Sequence, residues 1–340
     1  MKTYTRALLL VAIGLFAGLR PAFAQEAETL AKQKRWVTSA VFLNGGAQLL
    51  TGGGESLLYR PGDVKLWDAS SGALLATLEG QPTVVWSLAA SADGKTVISS
   101  GYDGKILLWD LAGRKVSHSV EKKGWVRSVA LSADNKHFAA GLEDGSVVLF
   151  ETEGPKELKT IKAHEAAVYD VAFSPDGALL ATCATDKLAK LWDWKAETPA
   201  EKAKLEGHGD AVWAVAWSKE GTLATASADR KIKLWTSEGK ELGTLEGHKD
   251  WVTDVAFSPD GGTLASASHD RTARLWNARQ KQVIATLGPH SSTTWCVAFS
   301  PDGATVAVGT HNAGVRLWRA AIHEIFPAPP DAGEKTADKK

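Results

Sequence analysis

Residues 247–277 read GHKDWVTDVAFSPDGGTLASASHDRTARLWN. Trp276, near the end of this stretch, serves as a ruler for the whole chain. Equivalent positions are Trp67, Trp109, Phe150, Trp192, Trp235, Trp276 and Trp318. The gaps between them are 42, 41, 42, 43, 41 and 42 residues. Seven marks at so regular a period predict seven copies of one structural unit.

Within the quoted copy, residues 252–258 are rich in β-branched and aromatic side chains and predict a first strand, a. Ser258, Pro259, Asp260 and Gly261 then predict a tight turn, with Pro fixing φ early and Gly accepting positive φ late. Residues 263–268 form strand b, a second turn falls at His269, Asp270 and Arg271, and residues 273–277 and 282–287 form strands c and d. After the N-terminal segment, no window carries a helical period. A lone four-stranded sheet cannot hide both faces from water. Seven arranged radially can, because each packs on its neighbours.

The recurring residues resemble the WD-repeat β-propeller family. They are Gly207-His208 and Gly247-His248, the turns at 174–177, 258–261 and 300–303, and Leu66-Trp67-Asp68, Leu108-Trp109-Asp110 and Leu191-Trp192-Asp193. The resemblance covers about residues 26–319 and implies an all-β, seven-bladed propeller of four-stranded antiparallel blades. It says little about function, because one fold serves many tasks.

The ends of the chain complete this architecture. Residues 1–24 read as a secretory signal peptide, with Lys2 and Arg6 before an apolar run at 7–19 and small residues Ala22 and Ala24 at a cleavage site. The run is too short for a comfortable membrane span, and no Cys follows it for lipid attachment. The expected product of cleavage is a bacterial protein, periplasmic or secreted, without a stable membrane anchor; the alternative reading of the same run is an uncleaved anchor. Residues 25–326 form the propeller. Thr29 and Leu30 match Thr244 and Leu245, so the N-terminal piece is expected to act as a strand d that closes the ring on strand c of blade 7. Residues 327–340 read as a disordered tail.

Repeat 1 carries six extra residues in its b–c loop, where Leu57, Leu58 and Tyr59 are apolar for a loop. Cys183 and Cys296 fall three blades apart, so they are expected to be unpaired and buried.

The charge is balanced, with 39 basic and 39 acidic residues; without Lys2, Arg6 and Arg20 the remainder carries −3. That excludes a general nucleic-acid binder, which needs a basic stripe. There is no P-loop, no dinucleotide turn and no nucleophile elbow.

Blades 4, 5 and 6 hold His164, Thr182, Asp186 and Trp192; His208, Thr225, Asp229 and Trp235; and His248, Ser266, Asp270 and Trp276. Ser, His and Asp together invite a hydrolase reading. A buried indole N–H, however, needs an acceptor, and a hydroxyl can accept from Trp and donate to His. The family resemblance implies that each set is a structural tetrad. Blades 2, 3 and 7 read as decayed: Gln81, Ser99, Asp103 and Trp109; Lys122, Ala140, Asp144 and Phe150; His290, Val308, Asn312 and Trp318.

No catalytic residue, cofactor or metal is expected. The expected function is a monomeric scaffold for a protein or peptide partner; the second reading is an exported enzyme or small-ligand binder using the central channel. The candidate surface comes from two columns of strand a. The first reads Trp36, Val84, Trp125, Ala167, Ala211, Trp251 and Thr293; the second reads Thr38, Trp86, Arg127, Tyr169, Trp213, Thr253 and Trp295. Each blade has one aromatic in one column or the other. Alternation along a strand predicts both columns on one side, ringing the channel mouth. Tyr102, Glu143, Thr185, His269 and His311, each just before the b–c turn, would form the rim.

Overall fold

The computed structural model describes residues 28–29, 35–55 and 60–319. The expected signal peptide, the C-terminal tail and Leu57, Leu58 and Tyr59 lie outside the described residues. The described chain forms seven four-stranded antiparallel sheets. Blade 6 shows the unit: strands Val252–Phe257, Thr263–Ser268, Ala273–Asn277 and Gln282–Leu287. Strand a ends at Phe257, one residue before the sequence expectation, because Ser258 is recruited by the turn. Its hydroxyl donates to Asp260 Oδ1 and accepts from the Thr263 N–H at 2.9 Å, while Gly261 takes φ +76°.

The innermost strands are Trp36–Leu43, Val85–Ala90, Val126–Leu131, Val168–Phe173, Val212–Trp217, Val252–Phe257 and Thr294–Phe299. Each packs beside the next, and the seventh packs beside the first. The hydrophobic core is divided accordingly: each of seven buried clusters spans the interface of two neighbouring blades. At the closing seam, Val37, Leu49 and Trp67 of blade 1 pack with Cys296, Ala307 and Leu317 of blade 7.

The first strand, Glu28–Thr29, completes the last sheet. It pairs antiparallel with Val315–Arg319, placing Thr29 opposite Arg316. Thr244 lies opposite Lys233 in blade 5. Arg316 and Lys233 both stand two residues before the ruler Trp, so the inferred alignment of the N-terminal piece holds. Cys183 and Cys296 are free thiols, both buried.

Candidate partner-binding face

The three expected tetrads form. In blade 6, His248 Nδ1 lies 2.8 Å from Asp270, His248 Nε2 lies 2.7 Å from Ser266 Oγ, and Trp276 Nε1 donates to the same hydroxyl at 2.8 Å. Blades 4 and 5 repeat this through Thr182 and Thr225. Burial lowers the His248 and His164 imidazoles below their ordinary value despite the facing carboxylates. Burial also pushes Asp270 upward, but hydrogen bonds from His248, Thr272 and Lys249 outweigh it and hold the carboxyl low. The would-be nucleophiles Thr182, Thr225 and Ser266 are fully buried and already engaged by both neighbours. They reach no substrate, so the sets act as ties between strands and loops.

Two of the supposedly decayed sets differ from each other. Blade 2 is intact: Trp109 donates to Ser99 at 2.8 Å, Ser99 to Gln81 Oε1 at 2.8 Å, and Gln81 Nε2 to Asp103 at 3.1 Å. A primary amide offers one acceptor and one donor, as a neutral imidazole does. Blade 7 is broken. Val308 offers no oxygen, and His290 Nδ1 and Nε2 and Trp318 Nε1 are buried without partners. In blade 3, Phe150 stacks on Phe138 with centroids 4.7 Å apart, and Lys122 pairs instead with Glu157 at 2.7 Å.

Strand a departs from simple alternation. In every blade the ladder between strands a and b slips at one point: between Val37 and Ser39, Val85 and Ser87, Val126 and Ser128, Val168 and Asp170, Val212 and Ala214, Val252 and Asp254, and Thr294 and Cys296. The residue passed over is the second-column residue each time. A bulge re-aims the extra side chain and bends the strand. Consecutive residues, such as Arg127 with Ser128 and Tyr169 with Asp170, therefore line the same central cavity. This corrects the expectation that both columns share one side. Second-column residues wall the channel, whereas Trp36, Trp125 and Trp251 of the first column stand outside that lining.

The two columns still form one aromatic surface. Trp295 is its hub, 6.4 Å from Trp36, 5.8 Å from Trp86, 6.1 Å from Trp213 and 4.8 Å from His269 between ring centroids. Trp86 meets Tyr102, which meets Trp125. Arg127 bridges to Tyr169 at 4.5 Å, and Tyr169 stacks on Trp213 at 4.4 Å. Trp213 stacks on Trp251, which stacks on His269. His311 packs on Trp36 at 4.4 Å. Trp251, 42% exposed, and Glu143 are open to solvent; the other candidates are half-buried. Glu143 and Thr185 hold the rim through backbone rather than ring contacts, their N–H groups donating to the Trp125 and Ala167 carbonyls at 3.0 and 3.1 Å. Thr38 and Thr253, the two threonines of the second column, turn their hydroxyls onto carbonyls of the next blade, Val85 and Thr294.

Below the rings lies a column that sequence reasoning missed: Ser39, Ser87, Ser128, Asp170, Ala214, Asp254 and Cys296. Ser39, Ser87 and Ser128 accept the N–H of Leu88, Val129 and Val171 in the following blade at 3.1–3.2 Å. Asp170 and Asp254 accept from Val215 at 3.0 Å and Val297 at 2.8 Å. Cys296 reaches the Val37 carbonyl across the seam at 3.7 Å. Burial drives the Asp170 carboxyl up to about 6 and that of Asp254 up to about 8, against the backbone N–H groups bonded to them. The available signal was a run of short polar residues inside otherwise apolar strands.

Among the described residues, no group of three or more His, Cys, Asp or Glu could hold a metal ion, and no helix is long and apolar enough to cross a membrane.

Comparison with known proteins agrees with this architecture. Residues 85–235 match the family model of the second β-propeller of echinoderm microtubule-associated proteins. Residues 239–277 and 281–319 match that of the WD domain, G-beta repeat. The nuclear distribution protein PAC1-2 of Uncinocarpus reesii is 28% identical over 68% of this chain and 38% of its own length. The WD40 repeat-containing protein HOS15 of Arabidopsis thaliana is 42% identical over 31% of this chain and 19% of its own. The nuclear distribution protein PAC1 of Arthroderma benhamiae is 29% identical over 58% and 50%. The chain thus spans half or less of the length of these curated relatives.

Proposed function

We propose that this chain, a seven-bladed WD-repeat β-propeller, is a non-catalytic scaffold that docks a protein or peptide partner on its aromatic channel-mouth face. The observation that carries the reading is the continuous ring surface centred on Trp295, with Trp251 left 42% exposed at its edge. Large aromatic side chains and Arg are the residue types that dominate interface energetics: the rings bury much area with little loss of rotamer freedom, and Arg adds charge and directional hydrogen bonds. The three triad-like sets keep their hydroxyls buried and bonded away from this face, which supports a binding role over hydrolysis. A monomeric propeller is part of the same reading. So is export, which rests on the sequence of residues 1–24 alone.

The test is quantitative affinity capture with the parent, with Trp251→Ala, Trp125→Ala and His311→Ala on the proposed face, and with Lys195→Ala on the opposite loops as control. A genuine partner falls away with the first three and stays with the control. Equal recovery with all four places docking elsewhere. N-terminal sequencing of the expressed full chain, with cell fractionation, tests cleavage after Ala24.

A further inference from the structure

Behind the ring surface the channel opens into a cavity of about 270 Å³. Arg127, Trp213 and Trp295 form part of its wall. The Arg127 guanidinium lies over four rings: Tyr169 at 4.5 Å, Trp125 at 5.3 Å, Trp86 at 5.5 Å and Tyr102 at 5.6 Å. These rings hold the cation at the mouth through their electron-rich faces. Arg127 also hydrogen-bonds the Tyr102 side chain, but it makes no ion pair among the described residues. Arg127 Nε, Trp213 Nε1 and Trp295 Nε1 are all buried and lack an acceptor. Three donors around one cavity, one of them formally charged, constitute an unmet demand for acceptor oxygens, because a buried N–H without a partner is unfavourable.

The carboxylates of the cavity are committed elsewhere. Asp170 accepts from Ser128 and from the N–H groups of Val171 and Val215. Asp254 accepts from the N–H groups of Val255 and Val297. Both join adjacent blades, and neither pairs with Arg127. These two carboxylates therefore do not supply the acceptor that the three donors lack.

We propose that the channel mouth is a subsite for a carboxylate, presented by an Asp or Glu side chain of the docked partner. Arg127 supplies the opposing charge, the Trp213 and Trp295 indole N–H groups supply hydrogen bonds, and the surrounding rings cover the methylene groups. A single guanidinium matches a monoanion. A phosphate dianion would bring a second negative charge to a cavity in which Arg127 is the one cation among the described lining residues. Hydrogen bonds to an ionised acceptor are the strong ones, so one such group can select for acid over amide. The inference rests on the docking reading above, and deepens it by assigning the chemistry of the inserted group.

Indole NMR of the propeller with propionate as probe, and propionamide as its uncharged counterpart, tests the subsite directly. The Trp213 and Trp295 indole N–H resonances are expected to move downfield with propionate and to stay with propionamide. Arg127→Met should weaken the propionate response by about tenfold or more, the loss of one charge-assisted contact, and Arg127→Lys should retain part of it. Thermal melts verify that both variants fold. Equal responses to the two probes, no response to either, or an undiminished response in a folded Arg127→Met protein overturns the proposal. If propionate fails while Trp251→Ala still abolishes capture, the docking face stands and the acid subsite falls. If propionate binds as described while Trp251→Ala leaves capture intact, the subsite stands and the docking reading falls.

Discussion

Trp36 and Trp295 lie nearly parallel across the seam where the last blade meets the first, their centroids 6.4 Å apart and their planes 12° apart. They come from opposite ends of the propeller sequence, and the blade that carries Trp295 takes Glu28–Thr29 as its outermost strand. Trp295 touches three more rings, whereas Trp251 touches two and remains 42% exposed. Trp295→Ala is therefore expected to cost about 3 kcal/mol of stability, within the usual range for removing a packed Trp. Trp251→Ala is expected to cost well under about 1 kcal/mol, since its ring gives up little burial. Partner binding should fall by about 2 kcal/mol with Trp251→Ala. Urea denaturation alongside a binding titration separates the two effects. A Trp295→Ala protein as stable as the parent would remove this residue from its structural role.

The tetrad of blade 6 and the substituted site of blade 3 should respond differently to mutation. Trp276 is buried and donates to Ser266, so Trp276→Ala is expected to cost about 3–5 kcal/mol. Lys122 forms a partly exposed ion pair with Glu157, so Lys122→Ala should cost about 0–1 kcal/mol. Equal shifts in melting temperature for the two variants would contradict this division.

The amide link of blade 2 yields a related expectation. Gln81 is buried and carries hydrogen bonds on both of its polar atoms. Gln81→Leu should cost about 1–3 kcal/mol by leaving Ser99 and Asp103 without their partner. Gln81→His should recover most of that loss, because imidazole provides the same donor and acceptor. Paired denaturation curves decide it, and a Leu variant as stable as the parent would mean the link is dispensable.

The fold was legible because its signals repeat: seven rulers, recurrent SPDG turns and an N-terminal Thr-Leu that matches strand d elsewhere. The candidate surface was legible as composition but not as geometry. Alternation assigned both aromatic columns to one side, yet a bulge at Arg127 and its equivalents turns consecutive residues to the channel. A bulge adds no characteristic residue type here; Thr, Trp, Arg and Tyr all occupy it. The Ser and Asp column was overlooked for the same reason, since its role depends on which backbone N–H the neighbouring blade brings within reach. Gln81 was undervalued because residue identity, rather than donor and acceptor count, was compared with His.

Blade 7 offers a stabilising substitution. His290 and Trp318 keep the edge-to-face arrangement of His248 and Trp276, with centroids 6.0 Å apart, but Val308 stands where the other sets place a hydroxyl. Thr matches the Val shape and supplies an oxygen between the indole N–H and the imidazole. Val308→Thr should raise stability by about 1 kcal/mol, the net value of a satisfied internal hydrogen bond. An increased denaturation midpoint with an unchanged slope is the expected result. A destabilised variant would show that the buried polar groups of this blade are arranged too far apart to share one hydroxyl.

The inter-blade carboxylates set the pH dependence. Asp254 is raised to about 8 and Asp170 to about 6 by burial among the central strands, both above the ordinary Asp value of 3.8. The folded protein therefore holds protons that the unfolded chain has released across this window. By linkage, stability contributed by these groups is fully present below the unfolded value and declines as pH rises, until the folded groups have also ionised. For Asp170 the decline runs from about pH 4 to 6, and for Asp254 from about pH 4 to 8. Serine performs the same clasp in blades 1 to 3 without titrating, as when Ser87 accepts the Val129 N–H at 3.2 Å. Asp254→Ser is thus expected to flatten the upper part of the decline while keeping blades 6 and 7 joined. Denaturation midpoints of parent and variant across pH 4 to 9 should converge at low pH and separate in favour of the variant above about pH 6. If the parent instead gains stability as pH rises through this range, Asp254 is ionised in the folded ring and the backbone N–H groups of Val255 and Val297 outweigh its burial.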